Sequence, residues 1–166
     1  RHHRFGHVQG IYAGNFRPDL PGLEMWMGNR WENYGIMNLV SGQGDPLTRF
    51  EPDTTSQGGP PLNWAGDGEE LLFLYSSRDA FGFYDAKGRK VLRPACEGLP
   101  FEWAYGFVED VVGDARDEIV YVHEGAVYIV TQDRHYPPGE RICAPVRKFD
   151  ISLPGWKLNE GEGSSG

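Results

Sequence analysis

Oxygen-bearing side chains return at matching positions in three short stretches of the sequence. Each stretch has an Asn or Asp, then an Asp four residues later, then a Glu near the start of an apolar run. The residues are Asn15, Asp19 and Glu24; Asn63, Asp67 and Glu70; and Asp110, Asp114 and Glu118. Carboxylate and amide oxygens are the ligands of Ca²⁺, which takes about six to eight of them. The pattern therefore predicts a calcium site in each stretch.

A second interpretation of the same stretches needs no metal. A calcium loop uses alternate positions, yet the next such position holds Arg17, Ala65 or Val112, none of which has a side-chain oxygen. The Asp could instead accept hydrogen bonds from loop amides, while the Glu braces the loop from the strand. Both interpretations stay open at this point. Phosphate binding is disfavoured, because the loops are acidic and lack the glycine and lysine pattern.

The acidic stretches belong to an internal repeat that predicts the fold. The second-position Asp recurs after 48 and then 47 residues, and turn residues divide each interval into strand candidates. Repeats of roughly 40 to 50 residues with four strands are typical of β-propeller blades. We therefore expect an all-β chain of about three four-stranded antiparallel blades, in which each acidic stretch joins the first and second strands.

The expected propeller segment covers residues 1–158. Its blades span residues 8–52, 58–96 and 104–147, followed by a closing tail at 148–158 and a disordered tail at 159–166. A ring needs roughly four or more blades to close. Either the closing tail and the first strand complete a fourth blade, or the chain is part of a larger ring. We favour the larger ring.

Composition narrows the classes of function. The 23 Gly, 12 Pro and 13% aromatic residues favour short strands joined by tight turns. With 24 acidic and 16 basic residues, the net charge of −8 opposes binding to nucleic acid. The sequence also lacks the run of roughly 18 apolar residues that a membrane helix needs, so no membrane partner is expected. Cys96 and Cys143 could form a disulfide or stay as two buried thiols.

The stretch "GNRWENYG" at residues 28–35 combines the side chains that sugar sites use. An aromatic ring contacts the apolar face of a sugar, and amide and guanidinium groups donate to its oxygens. The candidates are Asn29, Arg30, Trp31, Asn33 and Tyr34, and the matching loop "SSRDAFG" offers Arg78 and Asp79. Both loops join second and third strands, so they should lie on one face of a ring. Alternatively, Trp31 packs against a neighbouring blade.

Four stretches of the sequence resemble a known family of proteins. The phrases "GNFRPDLPGLEMW", "NWAGDGEELL", "DVVGDARDEIVYV" and "ISLPGWK" resemble the C-terminal blades of bacterial rhamnogalacturonan lyases and related β-propeller polysaccharide lyases. The resemblance runs from about Gly6 to Trp156 and rests mainly on the ordered set of loops. It implies a secreted or periplasmic eight-bladed enzyme with calcium as cofactor and an acidic polysaccharide as partner.

The implied reaction is β-elimination in a uronate-containing polymer. It needs a cation to neutralise the uronate carboxylate, a base for the ring proton and an acid for the leaving oxygen. Under the resemblance, His7 falls where the family carries a Gly-His pair, and Arg30 and Arg78 join it as catalytic candidates. Because this chain is too short for a whole ring, it would be a segment of such a lyase, and activity of the isolated chain is not expected.

Other functions fit the same sequence. Acidic propeller loops also occur in integrin-like repeats, so the chain could be a non-catalytic module that binds carbohydrate or protein. It could also be a scaffold piece that needs the missing blades of a parent chain, or other copies of itself, to cover exposed sheet faces.

Overall fold

The computed structural model describes residues 4–31, 35–52, 58–75, 77–95 and 105–135. The all-β expectation is confirmed for this part of the chain, whose strands form three antiparallel sheets without a helix. Accordingly, no described segment is a helix long and apolar enough to cross a membrane.

Each sheet is a meander of strands that follow one another along the chain. The first sheet contains β1 (His7–Gly14), β2 (Glu24–Trp31), β3 (Met37–Val40) and β4 (Pro46–Phe50). The second contains β5 (Gly58–Leu62), β6 (Leu71–Leu74), β7 (Gly82–Tyr84) and β8 (Lys90–Leu92). The third contains β9 (Tyr105–Glu109), β10 (Glu118–His123) and β11 (Ala126–Val130). The acidic stretches join the first and second strands of each sheet, as expected.

The repeat extends to the hairpin turns. In the β3–β4 turn the Gly44 N–H donates to the Ser41 carbonyl, and in the β7–β8 turn the Gly88 N–H donates to the Asp85 carbonyl, both at 2.9 Å. Gly44 and Gly88 have φ values of 85° and 74°, a region that disfavours residues with a Cβ. The same turn chemistry therefore closes the outer hairpin of the first two sheets.

The sheets stack face to face in chain order. One buried cluster joins Phe16, Trp26, Met37 and Leu39 of the first sheet to Leu72, Leu74, Ala80, Tyr84 and Ala86 of the second. Another joins Leu62, Phe73, Phe81 and Phe83 of the second sheet to Ile119 and Tyr121 of the third. Because side chains alternate between the faces of a strand, the second sheet is covered on both faces.

The first strands of the three sheets are neighbours, with β1 beside β5 and β5 beside β9. Gly14 permits the first of these approaches, because a Cβ there would lie 2.8 Å from Pro61 Cβ and 2.8 Å from Glu70 Oε2. Neighbouring propeller blades stack in this way around an axis. The described sheets form no closed ring or barrel, so the propeller itself stays a prediction.

Several predicted features lie outside the described residues. They are the closing tail at 148–158, the disordered tail at 159–166, and the two thiols of Cys96 and Cys143. The third sheet has three strands within the described range, which ends at residue 135.

Candidate functional site

The three acidic stretches form loops that we call the first, second and third corners, at residues 15–23, 63–70 and 110–117. Each corner joins the first two strands of its sheet, and all lie at the same end of the stack because each of the first two contacts the next. The loops that join the second and third strands lie at the opposite end, since a meander reverses direction at each turn. The predicted metal ligands and the predicted sugar loops are therefore at opposite ends of the sheets.

Asn15 joins the first corner to the second through three hydrogen bonds. Its main-chain N–H donates to Glu70 Oε2 at 2.5 Å, and its side-chain amide donates to the Gly68 carbonyl at 2.8 Å. The Glu70 N–H in turn donates to the Asn15 carbonyl at 2.9 Å. We call this set of three bonds the clasp.

Asn63 repeats the clasp between the second and third corners. Its N–H donates to Asp117 Oδ2 at 2.8 Å, and its side-chain amide donates to the Ala115 carbonyl at 3.1 Å. The Asp117 N–H donates to the Asn63 carbonyl at 3.1 Å. Donor, acceptor and direction match those at Asn15, so the internal repeat includes the junctions between sheets.

The side-chain amide of Asn63 makes hydrogen bonds both within its own corner and in the clasp. Its Oδ1 accepts from the N–H groups of Gly66 and Gly68, both at 3.1 Å, while its nitrogen serves the clasp. Asp110, in the equivalent place, accepts from the N–H groups of Gly113 and Asp114 at 2.6 and 3.1 Å. A carboxylate has no N–H to donate, so Asp110 keeps the turn and lacks the side-chain donor of the clasp.

The strand pairing shows that Glu70 is not equivalent to Glu24 and Glu118, the other two glutamates at the third position of the acidic stretches. Gly14 pairs with Glu24, Leu62 with Leu71, and Glu109 with Glu118. Leu71 therefore matches Glu24 and Glu118, whereas Glu70 matches Leu23 and Asp117. A shift of one residue turns a side chain to the other face of a strand, which is why Glu70 reaches another sheet.

Glu24 and Glu118 instead brace their own corners. Glu24 Oε2 accepts from the Arg17 N–H at 2.8 Å, and Glu118 Oε2 accepts from the Val111 and Val112 N–H groups at 3.0 and 3.2 Å. Both glutamates are buried. This arrangement matches the interpretation in which acidic side chains hold loop amides.

A buried ion pair occupies the third corner. Arg116 Nη2 lies 2.6 Å from Asp114 Oδ2, and Arg116 Nη1 donates to Gln132 Oε1 and to the Arg134 carbonyl at 3.1 and 3.0 Å. The hydrogen bonds from Arg116 lower the pKa of Asp114. A cavity of about 320 Å³ borders this pair, with His135 among its lining residues. The sequence suggested the Arg116 carbonyl as a ligand and not its guanidinium, whose contacts with Gln132 and Arg134 depend on the fold.

Burial acts in the opposite direction on two other carboxyls. It raises the pKa of Glu70, and the nearby charge of Asp117 raises it further. Burial also raises the pKa of Glu24, although N–H donors such as that of Arg17 oppose this. Glu24 Oε1 is buried without a hydrogen-bond partner.

The corner oxygens fit calcium poorly at two of the three corners. At the third, a guanidinium neutralises Asp114, and amides occupy the oxygens of Asp110 and Glu118. At the second, Asn63 Oδ1 and Glu70 Oε2 accept from main-chain N–H groups. Across the described ranges, no group of three or more His, Cys, Asp or Glu side chains is placed to hold a metal. In the first corner, Glu24 Oε1 accepts no hydrogen bond, so it is the corner oxygen best placed to bind an ion. Calcium binding stays a prediction.

At the opposite end, Asn29 is buried rather than presented to a ligand. Its side-chain amide donates to the Phe5 carbonyl, and its Oδ1 accepts from Asn38 Nδ2 at 3.2 Å. Asn29 therefore fixes the start of the chain against β2 and β3. Asn33 and Tyr34 lie outside the described residues, as do the side chains of Arg30 and Trp31.

His7 and Trp31 are paired in the register of β1 and β2. This pairing puts the exposed His7 beside the start of the predicted sugar loop. The two candidates thus share one end of the first sheet.

The loop that contains Arg78 is surrounded by further cations. Lys90 Nζ donates to the Asp79 carbonyl at 2.5 Å, and Arg93 Nη2 donates to the Arg78 carbonyl at 3.3 Å. Arg78, Lys90 and Arg93 are all exposed. Sequence reasoning missed Lys90 and Arg93, because only the β7–β8 hairpin brings them back to this loop.

Neither family models nor curated proteins nor solved structures gave a match to this chain.

Proposed function

We propose that the chain is a set of consecutive β-propeller blades that binds an acidic polysaccharide through the loop containing Arg78. The observation that carries this proposal is the convergence of Lys90 and Arg93 on the carbonyls of Asp79 and Arg78. Three exposed cations then surround one loop of a chain whose net charge is −8. Such a local reversal of charge attracts anionic ligands.

A uronate polymer suits this loop for a simple chemical reason. It presents carboxylates at intervals along an extended chain, and guanidinium and ammonium groups bind carboxylates by charge-assisted hydrogen bonds. The contacts are exposed, so each is worth about 0.2–1 kcal/mol and weakens as salt rises. A polymer of this kind is an extracellular ligand, and secretion or a periplasmic location belongs to the proposal.

Titration calorimetry with polygalacturonate and rhamnogalacturonan tests the binding proposal. Arg78→Ala and Arg93→Ala should each weaken binding by about twofold to fivefold, the range of an exposed ion pair. Lys87→Ala is the matched control, because Lys87 lies in the turn at the other end of the same sheet. A neutral dextran should not bind. Equal losses in all three variants, or no binding to either uronate polymer, would refute the proposal.

Lyase activity is a second candidate, favoured by the pairing of His7 with Trp31. This pairing puts an imidazole, a candidate base, beside the loop that carries Arg30, a candidate neutraliser of the uronate. The products of β-elimination contain an unsaturated uronate that absorbs ultraviolet light. Incubation of the chain with rhamnogalacturonan tests this candidate: an absorbance increase that His7→Ala abolishes would support it. Binding without any absorbance change would leave the non-catalytic module as the function.

A further inference from the structure

Within the part of the chain that the structure describes, the third sheet has one covered face and one bare face. Ile119 and Tyr121 pack against the second sheet, whereas the alternate residue Val120 points away from it and pairs with Phe107 and Ile129. Phe107, Ile129 and Val127 are 52%, 55% and 63% exposed. Adjacent apolar side chains at such exposure mark an interaction surface.

The first sheet also presents apolar residues on its outward face. Trp26 points into the cluster shared with the second sheet, so its neighbours Met25 and Met27 point outward. Ile11 pairs with Met27 and Ala13 pairs with Met25. Ile11 is 62% exposed. The stack of sheets therefore ends in an apolar face on both sides.

Among the described residues, the corners at the two ends of the stack each lack one of the neighbouring corners that the second corner has. In the third corner, the side chain of Asp110 accepts hydrogen bonds from the N–H groups of its own loop. In the first corner, register puts Leu23 where the other corners carry Glu70 and Asp117. An Asp110 carboxylate docked on that corner would meet no acid in the clasp position, and Arg17 of that corner is paired with Asp19 at 2.6 Å.

We infer that the bare face of the third sheet docks on the bare face of the first sheet in a second copy of the chain. In this arrangement Asp110 of one copy faces the corner of the other that carries Leu23 and Arg17. The contact continues the stacking already present between the three sheets. Two copies joined twice in this way would close a ring of six sheets, within the roughly four to eight blades of known propellers. The inference rests on the propeller arrangement proposed above.

Sedimentation velocity tests the inference directly. The wild-type chain should sediment as a dimer, and Ile129→Lys or Ile11→Lys should each raise the dissociation constant at least about tenfold, because each buries a charge in an apolar contact. Val91→Lys is the matched control, since Val91 is 50% exposed on β8 of the second sheet. Circular dichroism should show all three variants folded. A wild-type chain that is monomeric at every soluble concentration would overturn the inference.

Mixing the two variants separates this head-to-tail contact from other pairings. Ile129→Lys keeps an intact first sheet, and Ile11→Lys keeps an intact third sheet, so the mixture should recover a dimer through one undamaged contact. If two third sheets paired with each other, or two first sheets did, mixing the variants would not restore the dimer. That result would also overturn the inference. A monomer whose bare face is covered by residues after 135 would do the same.

Asp110→Asn tests the corner contact without destroying its turn, since the amide oxygen can still accept from Gly113 and Asp114. The variant supplies the side-chain N–H donor that Asn15 and Asn63 use in the clasp and removes a charge, so it should tighten the dimer about threefold and reduce its sensitivity to salt. Polysaccharide binding should survive in every variant above, because the loop of Arg78 lies at the other end of the second sheet. Loss of the dimer with retained binding would thus leave the proposed function standing.

Discussion

The main-chain N–H of Asn63 donates to Asp117 Oδ2 at 2.8 Å, across the junction between the second and third sheets. Asn15 makes the same bond to Glu70 one repeat earlier. The residues that looked like separate metal ligands are thus partly contacts between neighbouring sheets. Each clasp ties the end of the first strand of one sheet to the start of the second strand of the next sheet.

The clasp predicts that Asn63 contributes more to stability than Asp110. Asn63→Ala removes the donor to the Ala115 carbonyl and leaves the Gly66 and Gly68 N–H groups without their acceptor. Such losses at a buried site cost about 2–4 kcal/mol. Asp110→Ala removes only turn bonds and should cost about 1 kcal/mol. Urea denaturation measures both, and equal losses would mean that the clasp adds no stability.

Gly14 is predicted to resist substitution. An alanine Cβ would lie 2.8 Å from both Glu70 Oε2 and Pro61 Cβ, so Gly14→Ala should cost about 1–3 kcal/mol through overpacking. Gly10→Ala on the same strand is the control, because its nearest contact, at 3.1 Å, is the ring of Tyr12, a side chain that can move. Thermal melting should show the larger fall for Gly14→Ala. A larger fall for Gly10→Ala would contradict the close approach of the sheets.

Glu70 is predicted to make the protein less stable as pH rises. Burial raises its folded-state pKa, so the folded chain binds the proton more tightly than the unfolded chain. Its contribution is fully present below the ordinary Glu pKa of about 4.3 and is lost as pH rises through the raised value. Glu70→Gln should flatten this part of the profile of urea midpoint against pH. A steeper profile in the variant would refute the assignment.

Asp114 should have the opposite dependence. Arg116 lowers its folded-state pKa, so its stabilisation is present above the ordinary Asp pKa of about 3.9 and is lost as pH falls through the lowered value. Asp114→Asn breaks a buried ion pair and should cost roughly 3 kcal/mol at pH 7. It should also lose less stability on acidification than the wild type. Asp67→Asn, at an exposed position, is the control and should match the wild type.

Calcium is best tested at the first corner, where Glu24 Oε1 is buried without a hydrogen-bond partner. An ion bound there would stabilise the folded chain by mass action. A chelator should therefore lower the melting temperature of the wild type, and Glu24→Gln should lose that response. An unchanged melt in the wild type would remove calcium from the description of this protein.

Local patterns predicted much of the fold because they depend on neighbours in sequence. Turn residues such as those around Gly44 and Gly88 divide the chain into strands, and the recurring Asp marks the interval between sheets. The equivalence of Glu70 with Glu24 and Glu118 was wrong by one residue. Loop length varies between the copies, and only strand pairing fixes the register.

The candidate site was predicted less well, for a related reason. Asn29 has the chemistry of a sugar ligand, but its hydrogen bonds to Phe5 and Asn38 use it inside the sheet. Lys90 and Arg93 were missed because their nearness to Arg78 depends on a hairpin rather than on spacing. Residue types indicate which hydrogen bonds a side chain can make, and its position in the folded sheets decides which of them it does make.

The sequence by itself determined the all-β class, the repeat interval and the position of each acidic stretch between two strands, since these follow from local turn chemistry and side-chain alternation. Only the tertiary structure decided that Asn15 and Asn63 join successive sheets, that Arg116 neutralises Asp114, and that the third sheet keeps a bare apolar face. The clasps join residues about 50 positions apart in the chain, which no local pattern encodes. The burial of the Arg116–Asp114 pair and the exposure of the third sheet's outer face depend on how whole sheets pack.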